Sequence, residues 1–187
     1  MTYATLEELI SDCLPEVKSV TERAVLGRFL EAASRAIDSQ CKRPAGYFAP
    51  APAQPFPRYF SGEGMNYLRL PVHVAGSIDL ETGVAVAGHP VRNWVERSGW
   101  LYQTQGFGRL GGLWVRGVEY TVCARWGFEA TPADIAHYCK DLAAHYFNKH
   151  RGVIGQQLPN GFVIERDMPP TVKSGLVPYR RKEYEVV

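Results

Sequence analysis

The stretch Val122-Cys-Ala-Arg-Trp-Gly-Phe-Glu-Ala-Thr-Pro-Ala-Asp-Ile135 contains the end of a strand, a turn and the start of a helix. Apolar residues occupy every second position from Val118 to Trp126, which is typical of a strand with one buried face. Gly127 permits a sharp turn, and Thr131 followed by Pro132 is typical of a helix N-terminus. The stretch therefore predicts a joint between a sheet and a helix, and it lacks the G-x-S-x-G pattern of a nucleophile elbow.

Two further helices are predicted before this joint. Thr5 with Glu8, and Ser19 with Glu22, have the spacing of capping boxes and mark the two helix starts. Apolar residues recur at the helical period in both segments and again after the joint, as far as Arg151. The sequence thus predicts about three helices, two near the N-terminus and one after the sheet.

The strands are predicted between the second and third helices. Residues 44–57 hold five prolines and predict an extended excursion. Residues 58–61 and 66–70 flank a glycine-rich turn and predict a hairpin. The other predicted strands are residues 72–80, 83–87, 91–96, 100–103 and 113–116, followed by the strand that enters the joint. The fold class predicted is α+β: a small helical core of about three helices with an antiparallel β-insertion between the second and third helix, and an extended C-terminal arm.

The domain organisation predicted from these patterns is one domain with an arm. The single domain spans residues 1–151, with helical parts at 1–43 and 129–151 and the β-insertion at 58–127. Residues 152–187 lack a helical period and carry large apolar residues, which suits an arm that becomes ordered on a partner.

The composition excludes several classes of function. A formal net charge of +2 gives no bulk electrostatic case for binding nucleic acid, and no apolar run is long enough to span a membrane. The N-terminus lacks the basic start and apolar stretch of a secretory signal, so a cytosolic protein with reduced thiols is expected. The four cysteines are widely spaced among apolar neighbours, which favours core packing over zinc binding.

Two patterns raise the question of chemistry. Residues 106–111 match G-x-G-x-x-G, but a predicted strand follows them where the dinucleotide fingerprint needs a helix, so a flexible loop is favoured. His137, Asp141 and His145 form one stripe of the third helix, and such ligands can bind a metal. A solvated or subunit-facing surface explains the same stripe, because H-E-x-x-H and a third ligand are missing.

An ordered set of sequence pieces resembles the head-to-tail connector (adaptor) proteins of long-tailed bacteriophages over about residues 3–151. The pieces are residues 3–9, 29–38, 59–62, 68–71, 118–122, 125–127 and the helix from Pro132 with 142–146. The proline-rich excursion, the large β-insertion and the long tail depart from a minimal member of that family.

The resemblance implies a structural protein of the virion neck, with no enzymatic activity and no cofactor. It implies a ring, commonly of twelve copies, that docks on the portal protein and receives the next neck or tail-completion protein. Genomic DNA passes through the bore without sequence-specific binding, and a modest net charge suits that passage. Assembly is expected in the host cytoplasm, with no membrane partner.

Only interface roles follow from the resemblance, and they are assigned to the glycine-rich loop and the tail. The expected interface residues are Phe107, Arg109, Leu110, Phe162, Ile164, Tyr179, Arg180, Arg181, Lys182 and Tyr184. Two alternatives stay open at this point. One is a metal-dependent hydrolase that uses the His137, Asp141 and His145 stripe, and the other is a small nucleic-acid-binding module.

Overall fold

The computed structural model of the protein describes residues 2–104, 112–152, 156–157, 163–164 and 168–181. These residues form two compact units, a helical unit of residues from 2–49 and from 131 onward, and a β unit of residues from 50–130. Helices and antiparallel sheets are both present, so the predicted α+β class is confirmed. The single connector domain predicted for residues 1–151 stays a prediction.

Three helices build the core of the helical unit: α1 (Leu6–Cys13), α2 (Val20–Gln40) and α3 (Ala133–His150). Helices α2 and α3 each turn a stripe of buried apolar residues inward, as the 3.6-residue period predicts, while α1 buries Leu9. The largest fully buried side chains on these three helices are Leu9, Leu26, Ile37, Ile135, Leu142 and Phe147. A short fourth helix, α4 (Pro170–Gly175), and a 3-10 turn, Val177–Tyr179, complete the unit.

The helix starts follow the sequence signals in part. At α1 the capping box is present, since Glu8 N–H donates to Thr5 Oγ1 and Thr5 N–H donates to Glu8 Oε2 at 2.8 Å. Ser19 caps α2 without a side-chain hydrogen bond. The predicted cap of α3 is wrong by one residue, because Pro132 is extended and its carbonyl accepts from Ala136 N–H.

The β unit contains two antiparallel sheets. The first has the strand order β1-β7-β3-β4, and the second has the order β2-β6-β5. The strands are β1 (Phe56–Ser61), β2 (Tyr67–Arg69), β3 (Val84–Val86), β4 (His89–Pro90), β5 (Trp94–Arg97), β6 (Trp100–Gln103) and β7 (Glu119–Ala124). The alternating row of β7 is confirmed, since Tyr120, Val122 and Ala124 are all buried.

The predicted hairpin of residues 58–61 and 66–70 is wrong. Strand β1 pairs with β7, and β2 pairs with β6 in the other sheet. Gly62 lies between them, where a Cβ atom would stand 2.1 Å from Val115 O. The backbone of residues 114–115 therefore passes where the hairpin would have closed.

Two more predicted strands are absent from the described residues. Residues 72–80 contribute one isolated bridge, between His73 and Trp126, and residues 113–116 contribute one between Met65 and Trp114. Trp114 is fully buried and its indole N–H donates to Leu101 O at 3.0 Å. Each segment contributes one buried side chain, Ile78 or Trp114, to the core of the β unit without extending a sheet. Apolar content alone does not separate the two cases.

The extended arm predicted from residue 152 is wrong over residues 170–179. Val172 and Leu176, one helical turn apart, are buried in the helical unit, and Arg181 N–H donates to Cys41 O at 2.8 Å. A helix of six residues is too short for a periodicity search to detect. Earlier in the tail, β8 (Gln156–Gln157) and β9 (Val163–Ile164) are extended and pair antiparallel.

Candidate assembly surfaces

Tyr179, an expected interface residue, makes contacts within the helical unit. Its hydroxyl donates to Asp134 Oδ2 at 3.1 Å, and its ring meets the Phe48 ring edge to face at 5.7 Å between centroids. Burial and the hydrogen bond to Asp134 raise the pKa of Tyr179 above its ordinary value. The side chain therefore fastens the tail to the start of α3.

Arg180 and Arg181, which follow Tyr179, lie in the same helical unit. Both are partly buried, and the Arg180 Nε atom has no hydrogen-bond partner among the described residues. The Arg181 backbone is held by Cys41, while Arg43 donates from Nε to Tyr179 O at 3.5 Å. The folded tail thus places residue 181 beside the C-terminal end of α2.

The other expected interface residues take no part in the contacts of Tyr179, Arg180 and Arg181 described above. Ile164 lies in β9, where its backbone pairs with Gln156. Six lie outside the described residues: Phe107, Arg109, Leu110, Phe162, Lys182 and Tyr184. The G-x-G-x-x-G segment at 106–111 lies outside them as well, so the interface roles of these residues stay predictions.

The histidine stripe of α3 is open to solvent at its start. His137 Nε2 lies 3.4 Å from Asp141 Oδ2, with the two side chains 65% and 39% exposed. His145 packs its ring beside Tyr146, with 6.2 Å between centroids. Across the described ranges, no three His, Cys, Asp or Glu side chains converge in a way that could hold a metal ion.

Three of the four thiols, those of Cys13, Cys41 and Cys139, are unsuited to nucleophilic chemistry. Burial raises the pKa of Cys41 to about 11, and burial also raises the pKa of Cys139 and of Cys13. Cys139 Sγ lies 3.3 Å from Ser34 Oγ in the core. A thiolate is the reactive form, so these protonated thiols act as packing groups.

A buried polar cluster, which the sequence reasoning missed, anchors the N-terminal segment. Tyr3 donates from its hydroxyl to Asp38, whose other oxygen accepts from Gly46 N–H at 2.9 Å. Phe48 N–H donates to the Tyr3 hydroxyl, and Asp38 is only 4% exposed. The available signal was an acidic residue next to Ile37, on the apolar face of α2.

The first surface suited to a protein partner is the outer edge of the four-stranded sheet. Strand β1 is an edge strand, and its residues Phe56 to Tyr59 are exposed, with Tyr59 at 65%. The Arg58 guanidinium covers the Phe56 and Trp126 rings at 5.4 and 5.1 Å. An edge strand presents backbone groups to which another strand can pair.

The second surface is a groove of the helical unit, which we call the basic groove. Its larger part, about 650 Å³, lies beside α2, α3 and α4, and a smaller part of about 340 Å³ adjoins it at Tyr146. The principal lining side chains are Phe29, Ala36, Tyr146, Met168, Pro170 and Lys173. Lys149 and His150 add further basic groups at the smaller part. No described carboxylate lines either part.

Comparison with known proteins gives likenesses among solved structures only. No protein-family model matches the sequence, and no curated protein matches it. A chain in the solved structure of the neck of an empty GTA particle, computed with C6 symmetry, superposes with a TM-score of 0.53 at 18% sequence identity. The likeness covers 98% of this chain and 92% of that chain, so the two share a fold from end to end.

Among the described residues, no helix combines the length and apolar content that crossing a bilayer requires.

Proposed function

We propose that the protein is a structural subunit of the neck of a phage or phage-like particle. In this role it forms a ring as a head-tail connector, docks on the portal protein and joins the DNA-filled head to the tail. The observation that carries the proposal is the likeness to a chain of a GTA particle neck over nearly the full length of both chains. The sequence resemblance to phage connectors points the same way and rests on separate evidence.

The surfaces support an assembly role in physical terms. A ring needs two different surfaces on each subunit that meet between neighbours. The edge strand β1 and the basic groove are two such surfaces. The ring has about twelve copies, as is common in the resembling family, and also contacts the next neck or tail-completion protein. Genomic DNA passes through its bore without sequence-specific contacts, and the subunit resides in the virion after assembly in the host cytoplasm.

Removal of the gene from the phage or prophage that encodes it tests this proposal. We expect DNA-filled heads without tails, and we expect purified protein added to those heads to restore joining. Electron microscopy of the restored heads should show a ring with cyclic symmetry on the portal. Normal tailed particles in the absence of the gene would contradict a connector role.

We further propose that the protein is not an enzyme, and this part has its own test. On the stripe, His137 is exposed, while Asp141 and His145 are half-buried. The double variant His137→Ala with His145→Ala should restore head-tail joining as well as the wild-type chain does. Elemental analysis of purified wild-type protein should show less than one tightly bound zinc or iron per chain. Loss of joining together with stoichiometric metal would favour the metal-dependent alternative.

A further inference from the structure

The exposed apolar side chains include one that stands between two carboxylates. Among the large apolar residues that the described structure leaves exposed, Leu80 is 70% exposed, and it alone has acidic neighbours, Asp79 and Glu81. An exposed leucine flanked by charges of one sign suits a partner surface that is apolar and of the opposite charge. The basic groove has this composition, because its lining among the described residues includes Lys173 and Lys149 and no carboxylate.

The turn that carries Leu80 is rigid. Asp79 Oδ1 accepts from Glu81 N–H at 3.0 Å, from Thr82 N–H at 2.7 Å and from the Thr82 hydroxyl at 2.8 Å. Gly83 N–H donates to Asp79 O at 2.8 Å, and a Cβ atom at Gly83 would stand 2.4 Å from that oxygen. The turn, residues 79–83, thus holds Leu80 and Glu81 outward before any partner binds. We call it the Leu80 knob. Such preorganisation lowers the entropy cost of association.

We propose that the Leu80 knob of one copy binds in the basic groove of a second copy. Leu80 covers the apolar floor near Tyr146, and Glu81 pairs with Lys173 at the rim. Because the knob and the groove are different surfaces of one chain, the contact is head-to-tail, and repeating it around an axis closes a ring. The inference rests on the proposed ring and names the contact between its neighbours.

The contact is one part of a larger interface. A stable protein interface buries roughly 800 Å² on each partner, which is more than one turn can supply. The knob therefore acts as the anchor of the interface and fixes its register through charge, while the surrounding contacts add area. An anchor of this kind makes a definite prediction about which residues come within bonding distance.

A zero-length cross-link tests the pairing directly. Full-length chains labelled with ¹⁴N and ¹⁵N are mixed, assembled on portal-bearing heads that lack the protein, and treated with a carbodiimide. We expect a mass-spectrometric amide cross-link between Glu81 and Lys173 that joins labelled to unlabelled chains. Cross-links confined to one isotope would place the pair within a single copy and overturn the inference.

Charge reversal tests the same pair by function. Glu81→Lys and Lys173→Glu should each raise the protein concentration needed for half-maximal head-tail joining by about tenfold or more, because like charges then meet. The double variant should return to within about threefold of the wild-type chain. Glu63→Lys is the matched control, since Glu63 is exposed in the same unit but lies outside the knob. Melting temperature confirms that each variant is folded.

The outcomes separate this inference from the function on which it rests. One outcome would overturn the knob contact and leave the connector role standing. In it, rings form on the portal, the charge-reversal variants join heads to tails as well as the wild-type chain, and no intermolecular cross-link is found. Absence of any ring on portal-bearing heads would overturn both. A double variant no better than its single variants would also count against the Glu81 and Lys173 pair.

Discussion

At the scale of single residues, the Tyr3 and Asp38 pair illustrates how burial sets the behaviour of a charge. Burial raises the pKa of Asp38 above its ordinary value, while the hydrogen bonds from Tyr3 and Gly46 lower it and offset part of that rise. Ionisation of Asp38 therefore opposes folding. Its contribution to stability is fully present below its ordinary pKa and is lost as the pH rises through the raised pKa of the folded state.

Tyr3→Phe removes the hydroxyl that donates to Asp38 and accepts from Phe48. We expect a loss of about 1–3 kcal/mol in the free energy of unfolding at neutral pH, because a buried carboxylate loses a donor. The loss should shrink as the pH falls below the raised pKa of Asp38, because the protonated carboxyl group needs the donor less. Urea unfolding at several pH values measures both effects. An equal loss at every pH would show that the charge of Asp38 plays no part.

Gly62 is a residue whose small size decides how the β unit closes. Gly62→Ala would place a methyl group in the backbone of Trp114 and Val115, with 2.1 Å to Val115 O. We expect destabilisation of about 3 kcal/mol or more, since backbone must move to admit the atom. Gly27→Ala is the control, because nothing lies within 4 Å of a Cβ there and alanine favours α2 by about 0.5–1 kcal/mol. Thermal unfolding of the two variants should shift in opposite directions.

At the scale of elements, the short helix α4 connects the tail to the helical unit. It buries Val172 and Leu176, and the Tyr179 hydroxyl then reaches Asp134. A truncation from residue 175, which a wholly extended arm would tolerate, removes Leu176 and Tyr179 and should therefore weaken the folded subunit. The test of a docking arm has to start after residue 181.

Leu176→Ala measures the packing of this element. Leu176 is fully buried, so we expect a loss of about 2–5 kcal/mol in the free energy of unfolding. Val177→Ala is a matched control, since the Val177 side chain is next in sequence and is 54% exposed. This substitution should change stability by less than about 0.5 kcal/mol. Similar denaturation midpoints for the two variants would mean that α4 detaches without cost.

At the scale of the whole molecule, the last six residues test the proposed arm without disturbing the folded tail. Deletion of residues 182–187 removes Lys182 and Tyr184 but keeps Leu176, Tyr179 and the Arg181 contact with Cys41. We expect an unchanged melting temperature and helical circular dichroism signal, together with failure to join heads to tails. Normal joining by the truncated chain would show that these residues are not a docking arm.

The sequence by itself determined the elements with strong local signals. The capping box of α1, the buried stripes of α2 and α3 and the alternation in β7 follow from hydrogen-bond geometry and periodicity within a few residues. It also predicted the α+β class and the turn between β7 and α3. In each case the physical cause lies within the segment itself.

Only the tertiary structure decided what depends on residues far apart in the chain. Strand β1 pairs with β7, about sixty residues later, because the backbone of Trp114 and Val115 passes at Gly62 and the hairpin does not close. The helix α4 is too short to stand alone and is held by burial of Leu176. The basic groove and the Tyr3 and Asp38 cluster likewise arise from packing between distant segments, which no local pattern encodes.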